Sequence, residues 1–282
     1  MRLNANIRVS NSLGVMQGRL TSPKGRGIQF FPFDNWQNEF KIAKKMGLDE
    51  IEFIFDYYKY RKNPLWTKMG RKEIKNLVLK TGVKVNSVCA DYFMRKPFFR
   101  SSKKVYSSNC QMLKRLIRYA SEIEANLIEI PFVDNSSIKN NKEEALFVNT
   151  TAKILPVAEK YKIKIGLETD LQPQKVLFLI KKINHTMVGA NYDTGNSASL
   201  GYNPKEELNL YGEKIFNVHI KDRMFHGSTV QLGTGDTKFI QFFNSLKRVD
   251  YKGSLILQAA RGKDGDEQKT IRKQIKFLKL WI

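Results

Sequence analysis

IKIGLETDLQPQKVLFLIKKINHTMVGANYD, residues 163–193, decides the architecture. It opens on a short apolar run, IKIGLE (163–168), and closes on another, MVGANYD (187–193). Between them lies a helical stretch from about Gln174 to Ile183. Two strands joined through a helix pair in parallel, because the chain must cross over before it can return to the sheet.

The same alternation runs outward in both directions. Upstream lie LGVMQ (13–17), a helix within 34–47, IEFIF (51–55), a helix near 71–80, VKVNSVCA (83–90), a long amphipathic segment 103–124, NLIEIPFV (126–133) and a helix near 143–161. In the first helix Trp36, Phe40, Ala43 and Met46 recur at near-helical spacing, and Gly47 suits its C-cap. Downstream follow a helix near 204–212, KIFNVHI (214–220), a helix near 237–249, GSLILQ (253–258) and a closing helix near 266–281. Eight strands alternate with eight helices, and no Pro/Gly-rich linker divides them. A single-domain α/β protein over residues 1–282, a closed (β/α)8 TIM barrel, is the expected fold. A doubly wound open sheet is the runner-up. The turn after its first strand would read MQGRLTSPKGRGIQF, which has no GxGxxG, so a dinucleotide site is not expected.

The chain carries 49 Lys+Arg against 27 Asp+Glu, a net charge of +22. The excess is mostly lysine, dispersed in pairs such as Lys44-Lys45, Lys103-Lys104 and Lys181-Lys182, with no basic tail. Dispersed lysine attracts any polyanion without specifying one, so nucleic acid is not expected as the partner, while an acidic or phosphorylated small molecule is favoured. No apolar stretch has the length of a membrane span, and MRLNANIRVSNSLG (1–14) lacks the apolar core of a signal peptide. A soluble cytoplasmic protein is the expectation. Cys89 and Cys110 form no CxxC and are read as reduced packing residues.

In a parallel barrel the chemistry sits where strands end and loops begin. The last four strands end on Glu168, Asp193, His219 and Gln258: two carboxylates, an imidazole and a carboxamide at similar depth. All four side chains can ligate a divalent metal. Two acids buried side by side also demand something positive between them, and a cation is the simplest answer.

LGVMQGRL at the start, IGLETD, NYDTGN, HIKD, LGTGDTKF and ILQAAR together resemble the xylose-isomerase-like TIM-barrel superfamily, the sugar phosphate isomerase/epimerase group. The likeness covers nearly the whole chain. It implies one divalent metal, often manganese, with magnesium, cobalt or zinc as alternatives, held by a Glu, an Asp, a His and a second Glu. Carried over by position, the first three are Glu168, Asp193 and His219. The resemblance also implies that the two glutamates move the substrate proton. Gln258 departs from that pattern, since it stands at the second glutamate. An amide cannot act as a general base, and it brings no negative charge to a metal. Two-glutamate epimerisation is therefore replaced by a one-base reaction, by another second base, or by sugar binding alone.

Other strand ends supply further candidates. Lys221 shares a face with His219 and could reach a substrate oxygen, or pair with Asp222 instead. Glu129, a charge in the apolar run LIEIPFV, is a substrate or acid/base candidate; Asp91, taken as substrate-binding, and Glu52 are weaker ones by the same logic. Gln17 and Arg19 close the first strand, and Arg19 and Arg261 suit a carboxylate or phosphate. His226 lies in a loop that could close over the site. His185 belongs to the opposite end and is expected to have no role. A metal-dependent sugar isomerase or epimerase is the leading reading, with a carbohydrate as partner. Barrels of this kind often pair, so a homodimer accompanies it. An apurinic-endonuclease-like protein would need a histidine-rich three-zinc cluster, and this chain has three histidines in all.

Overall fold

Eight short strands pair in parallel and close on themselves. The computed structural model describes residues 11–282, so most of the N-terminal signal-peptide reading lies outside the described residues. The strands and helices follow one another as β1 (Leu13–Met16), α1 (Trp36–Met46), β2 (Glu50–Ile54), α2 (Lys68–Thr81), β3 (Ser87–Cys89), α3 (Tyr92–Arg95), α4 (Lys103–Glu122) and β4 (Leu127–Phe132). Then come α5 (Asn141–Tyr161), β5 (Lys164–Thr169), α6 (Pro173–Ile183), β6 (Val188–Asp193), α7 (Thr194–Ser199), α8 (Pro204–Tyr211) and β7 (Ile215–Ile220). A small ribbon of β8 (Asp222–Arg223) and β9 (Thr229–Val230) precedes α9 (Phe239–Arg248), β10 (Ser254–Leu257) and α10 (Glu267–Leu278). Around the barrel the order is β1-β10-β7-β6-β5-β4-β3-β2, and the ribbon pairs antiparallel outside it. The expected TIM barrel is therefore the fold.

Local chemistry explains the element ends. Gly47 ends α1 at φ 71, a left-handed conformation that glycine adopts without strain. Thr67 Oγ1 accepts from Gly70 N at 3.0 Å to start α2. The strand expected over 83–90 is reduced to Ser87–Cys89. The Asn86 carbonyl accepts from the amides of both Asn126 and Leu127 and interrupts the ladder there. The short α3 and α7 and the β8–β9 ribbon were not expected, because segments of this length show no periodicity.

The apolar core lies between strands and helices. Phe93, Phe98, Phe99 and Phe132 are fully buried, and their rings contact one another and Phe147. Burying each such side chain contributes about 2 kcal/mol. The space inside the barrel is different: Glu50, Glu52, Ser87, Glu129, Asn191, Asn217 and His219 are all buried there. A polar interior gains nothing from burial and persists only if its groups find partners.

Candidate active site

The ends of β5, β6 and β7 bring Glu168, Asp193 and His219 together. Ligating atoms of the three lie within 4.8 Å of one another, and all three residues are buried. His219 Nδ1 lies 3.0 Å from Glu168 Oε2 and 4.0 Å from Asp193 Oδ2. Its other nitrogen, Nε2, lies 2.7 Å from Glu52 Oε1. Glu168 is held by amides: Asn196 Nδ2 donates to Oε1 at 2.7 Å and Asn191 Nδ2 to Oε2 at 3.0 Å. Asp193 caps α7 as it ends β6, its Oδ1 accepting from Gly195 N at 2.9 Å and Asn196 N at 2.8 Å. Its Oδ2 is left facing the centre.

Lys221 supplies the charge at that point. Its Nζ donates to Asp193 Oδ2 at 3.0 Å, Asn196 Oδ1 at 3.2 Å and Gln258 Oε1 at 3.2 Å. It does not pair with Asp222, whose carboxylate accepts from the amides of Gly233, Gly235 and Thr237. Gly195 makes this possible: a Cβ there would lie 2.7 Å from Lys221 Cγ. Gln258 completes the row, with its amide nitrogen donating to Gln29 Oε1 at 3.1 Å.

The facing strands β2, β3 and β4 add Glu52, Cys89 and Glu129, whose ligating atoms also lie within 4.8 Å of one another. Glu52 Oε2 accepts from Ser87 Oγ at 2.5 Å and Asn217 Nδ2 at 2.7 Å. Glu129 is fully buried, and neither of its oxygens has a hydrogen-bond partner. Burial, and then the charge of Glu168, hold its carboxyl well above the usual carboxylate range. Above both groups opens a cleft of about 470 Å³, lined by Cys89, Asp91, Glu129, Glu168, Lys221 and Gln258 among others.

A model of the family described as xylose isomerase-like TIM barrel matches residues 40–281. The chain belongs to this family. Among relatives, an L-ribulose-5-phosphate 3-epimerase, UlaE, of Escherichia coli strain SMS-3-5 is 24% identical over 233 residues, covering 79% of this chain and 81% of its own. Among solved structures, the IOLI protein with a bound zinc atom superposes with a TM-score of 0.77 at 16% identity, over 96% of this chain and 99% of its own. D-psicose 3-epimerase from Clostridium cellulolyticum H10, solved with D-tagatose, gives 0.74 at 12% identity with the same coverage.

The xylose isomerase-like family implies a metal, and the residues here fit one. A proton shared between His219 Nε2 and Glu52 leaves Nδ1 as an acceptor, and Asn191 Nδ2 lies 3.2 Å from it. Nδ1, Glu168 Oε2 and Asp193 Oδ2 then turn three lone-pair donors on one point, which a divalent cation satisfies. Without an ion the ring itself must carry the charge. Burial opposes this, but the carboxylates of Glu52 and Glu168 outweigh burial and raise the His219 pKa well above the ordinary value.

The remaining expected residues fall in different places. Asp91 lines the cleft, accepts from Gln29 Nε2 at 2.7 Å and is pushed up to about 6, chiefly by burial. Arg261, expected as an anion clamp, is spent on backbone carbonyls: Gly18 O at 2.6 Å, Ile28 O at 2.9 Å and Thr21 O at 3.1 Å. Gln17 ties β1 to β2 by accepting from Ile54 N at 3.1 Å and does not line the cleft. Arg19 is buried behind Gln258, donating weakly to its carbonyl at 3.3 Å, and is likewise off the cleft wall. His226 stands exposed in the ribbon turn against Phe225, its amide on Ser199 O, rather than over the site. His185 lies before β6 at the other end and contacts Glu159 at 3.1 Å. Cys110 packs in α4, but Cys89, also read as packing, lines the cleft.

Asn191, Asn217, Ser87 and Gln29 were not expected from the sequence, and Asn196 entered only as the asparagine of the NYDTGN motif, with no role of its own. For Asn196 a signal existed, the D-x-x-N spacing from Asp193, which puts its amide on the first turn of α7 beside Glu168. The inward alternation of Asn191 with Asp193, and of Asn217 with His219, was the signal for two more.

Proposed function

We propose that the chain is a metal-dependent isomerase or epimerase of a sugar or sugar phosphate, working through an enediolate. The observation that carries this reading is the convergence of Glu168, Asp193 and His219 beneath an open polar cleft. The family, and relatives that include an L-ribulose-5-phosphate 3-epimerase, support the substrate class. A divalent ion held by these three residues supplies Lewis acidity toward a substrate carbonyl.

The chain's own residues do the rest. Glu168 takes the proton next to the carbonyl, its carboxylate aimed by the amides of Asn191 and Asn196. Lys221 donates to a substrate oxygen as negative charge develops there. Gln258 orients Lys221 and takes no proton. Isomerisation results when Glu168 gives this proton to the former carbonyl carbon while the hydroxyl proton passes to the former carbonyl oxygen; epimerisation results when Lys221 or water gives a proton to the original carbon on its other face, Glu168 then releasing its own proton to solvent. Arg95 and Arg223 also line the cleft, and among the described residues Arg95 enters no ion pair, which suits a phosphate at the rim.

A second reading, a sugar-binding barrel of reduced activity, draws on one observation: Lys221 and Gln258 together occupy the side of the site where a second acid would stand. Incubation with manganese and a panel of ketoses and ketose 5-phosphates in deuterium oxide separates the two. Deuterium entering the carbon beside the carbonyl, and lost in Glu168→Gln, is the expected result. Binding without exchange favours the second reading.

A further inference from the structure

We infer that the barrel holds a second cation site, built from Glu52, Cys89 and Glu129 on the β2–β4 wall. It lies beside the Glu168–Asp193–His219 group and shares its cleft. Three observations carry this. First, one oxygen from each glutamate and the Cys89 sulfur lie within 4.8 Å of one another, a span that bonds of about 2.0–2.3 Å to one ion can gather in. Second, Glu129 is fully buried with both oxygens unpartnered. A polar group so placed is destabilising unless something binds it. Third, Cys89 and Glu129 line the cleft, so an ion has a route from solvent.

The other partners are arranged to permit it. Glu52 uses one lone pair of Oε1 toward His219 and accepts from Ser87 and Asn217 at Oε2, leaving a further lone pair on Oε1. Cys89 donates to Asp91 Oδ1 at 3.5 Å, its sulfur accepts from Gln29 Nε2 at 3.8 Å, and it faces Glu129 across the β3–β4 pair. A sulfur with two carboxylates selects zinc, cobalt or ferrous iron over magnesium or calcium. Binding displaces the thiol proton to solvent, since thiolate is the ligand. Glu52 would join the two sites, because the imidazole it contacts presents its other nitrogen to the Glu168–Asp193 pair. Glu129, an acid/base candidate by sequence, thereby acts as a ligand.

The test is a cobalt(II) titration of the full chain stripped with chelator, followed by metal analysis and absorption spectroscopy. The expected result is two ions per chain and a near-ultraviolet sulfur-to-cobalt charge-transfer band. Cys89→Ser should abolish the band and leave one ion. Glu129→Gln, nearly isosteric, should weaken the band-bearing site by roughly tenfold or more and spare the other, so either variant serves if its fellow fails to fold. Asp193→Asn should weaken the other ion and keep the band. One ion with no band, weakened by Asp193→Asn, overturns the second site while sparing the proposed function. A band that survives Cys89→Ser also overturns it. No bound ion at all overturns both.

Discussion

Two buried acids at the barrel mouth, Glu168 on the β5–β7 wall and Glu129 on the β2–β4 wall, are held in opposite ways. On the β5–β7 wall each carboxylate oxygen is engaged: Glu168 by two asparagine amides, Asp193 by two backbone amides and an ammonium. On the β2–β4 wall Glu129 has no partner at either oxygen. A third case lies outside the barrel. Glu39, on α1, accepts from the amides of Gly18 and Leu20 and from Thr21. These donors do not offset burial, which pushes its pKa up to about 7. Donors are therefore not enough by themselves to offset burial, as Glu39 shows, and Glu129, which has none at either oxygen, is the acid on which a cation would have most to offset.

The contrast can be broken at its strongest point first. Glu168→Gln removes the proposed base on the well-partnered wall, and turnover should fall by roughly 10³-fold, read as the loss of deuterium wash-in. Next in size is Glu39. Because its folded pKa lies above the unfolded value near 4.5, the native state binds the extra proton between these values. Its contribution is therefore complete below about pH 4.5 and is lost as pH rises through about 7, a change of about 3 kcal/mol. Glu39→Gln should flatten that part of the stability–pH curve in denaturant melts; an unchanged slope would show that Glu39 is ionised throughout.

Smaller effects sharpen the link between the walls. Glu52→Gln keeps the shape but weakens the hold on His219 Nε2, and manganese affinity measured by calorimetry should drop by roughly 10–100-fold. Smallest is Gln258→Glu. It adds an anion 3.2 Å from Lys221 Nζ, so part of its charge is absorbed locally. Manganese should bind tighter by only about tenfold, and no change would mean that position 258 does not sense the ion.

The β5–β7 wall was legible in the sequence because its acids and histidine end their strands, where alternation runs out into GLETD, NYDTGN and HIKD. The eightfold alternation was legible because each barrel strand is short and largely apolar and a longer helix intervenes before the next one. The β2–β4 wall was much less so. Glu52 and Glu129 sit within runs that are otherwise apolar, IEFIF and LIEIPFV, where a lone acid gives no hint of which face it takes. Cys89 reads as a small hydrophobe, and only the pairing of β3 with β4, which sets Cys89 against Glu129, reveals its company. Arg261 misled because charge and position suggest an anion, whereas three carbonyls of the loop after β1 had already claimed it.

Lys221 has one consequence of its own. An ammonium wedged between Asp193, Asn196 and Gln258 is a counter-ion tethered to the backbone, which neither a chelator nor departing product can carry away. Stripping the protein of divalent ions should therefore leave the β6–β7 side of the mouth neutralised and in place, so that reloading needs no refolding there.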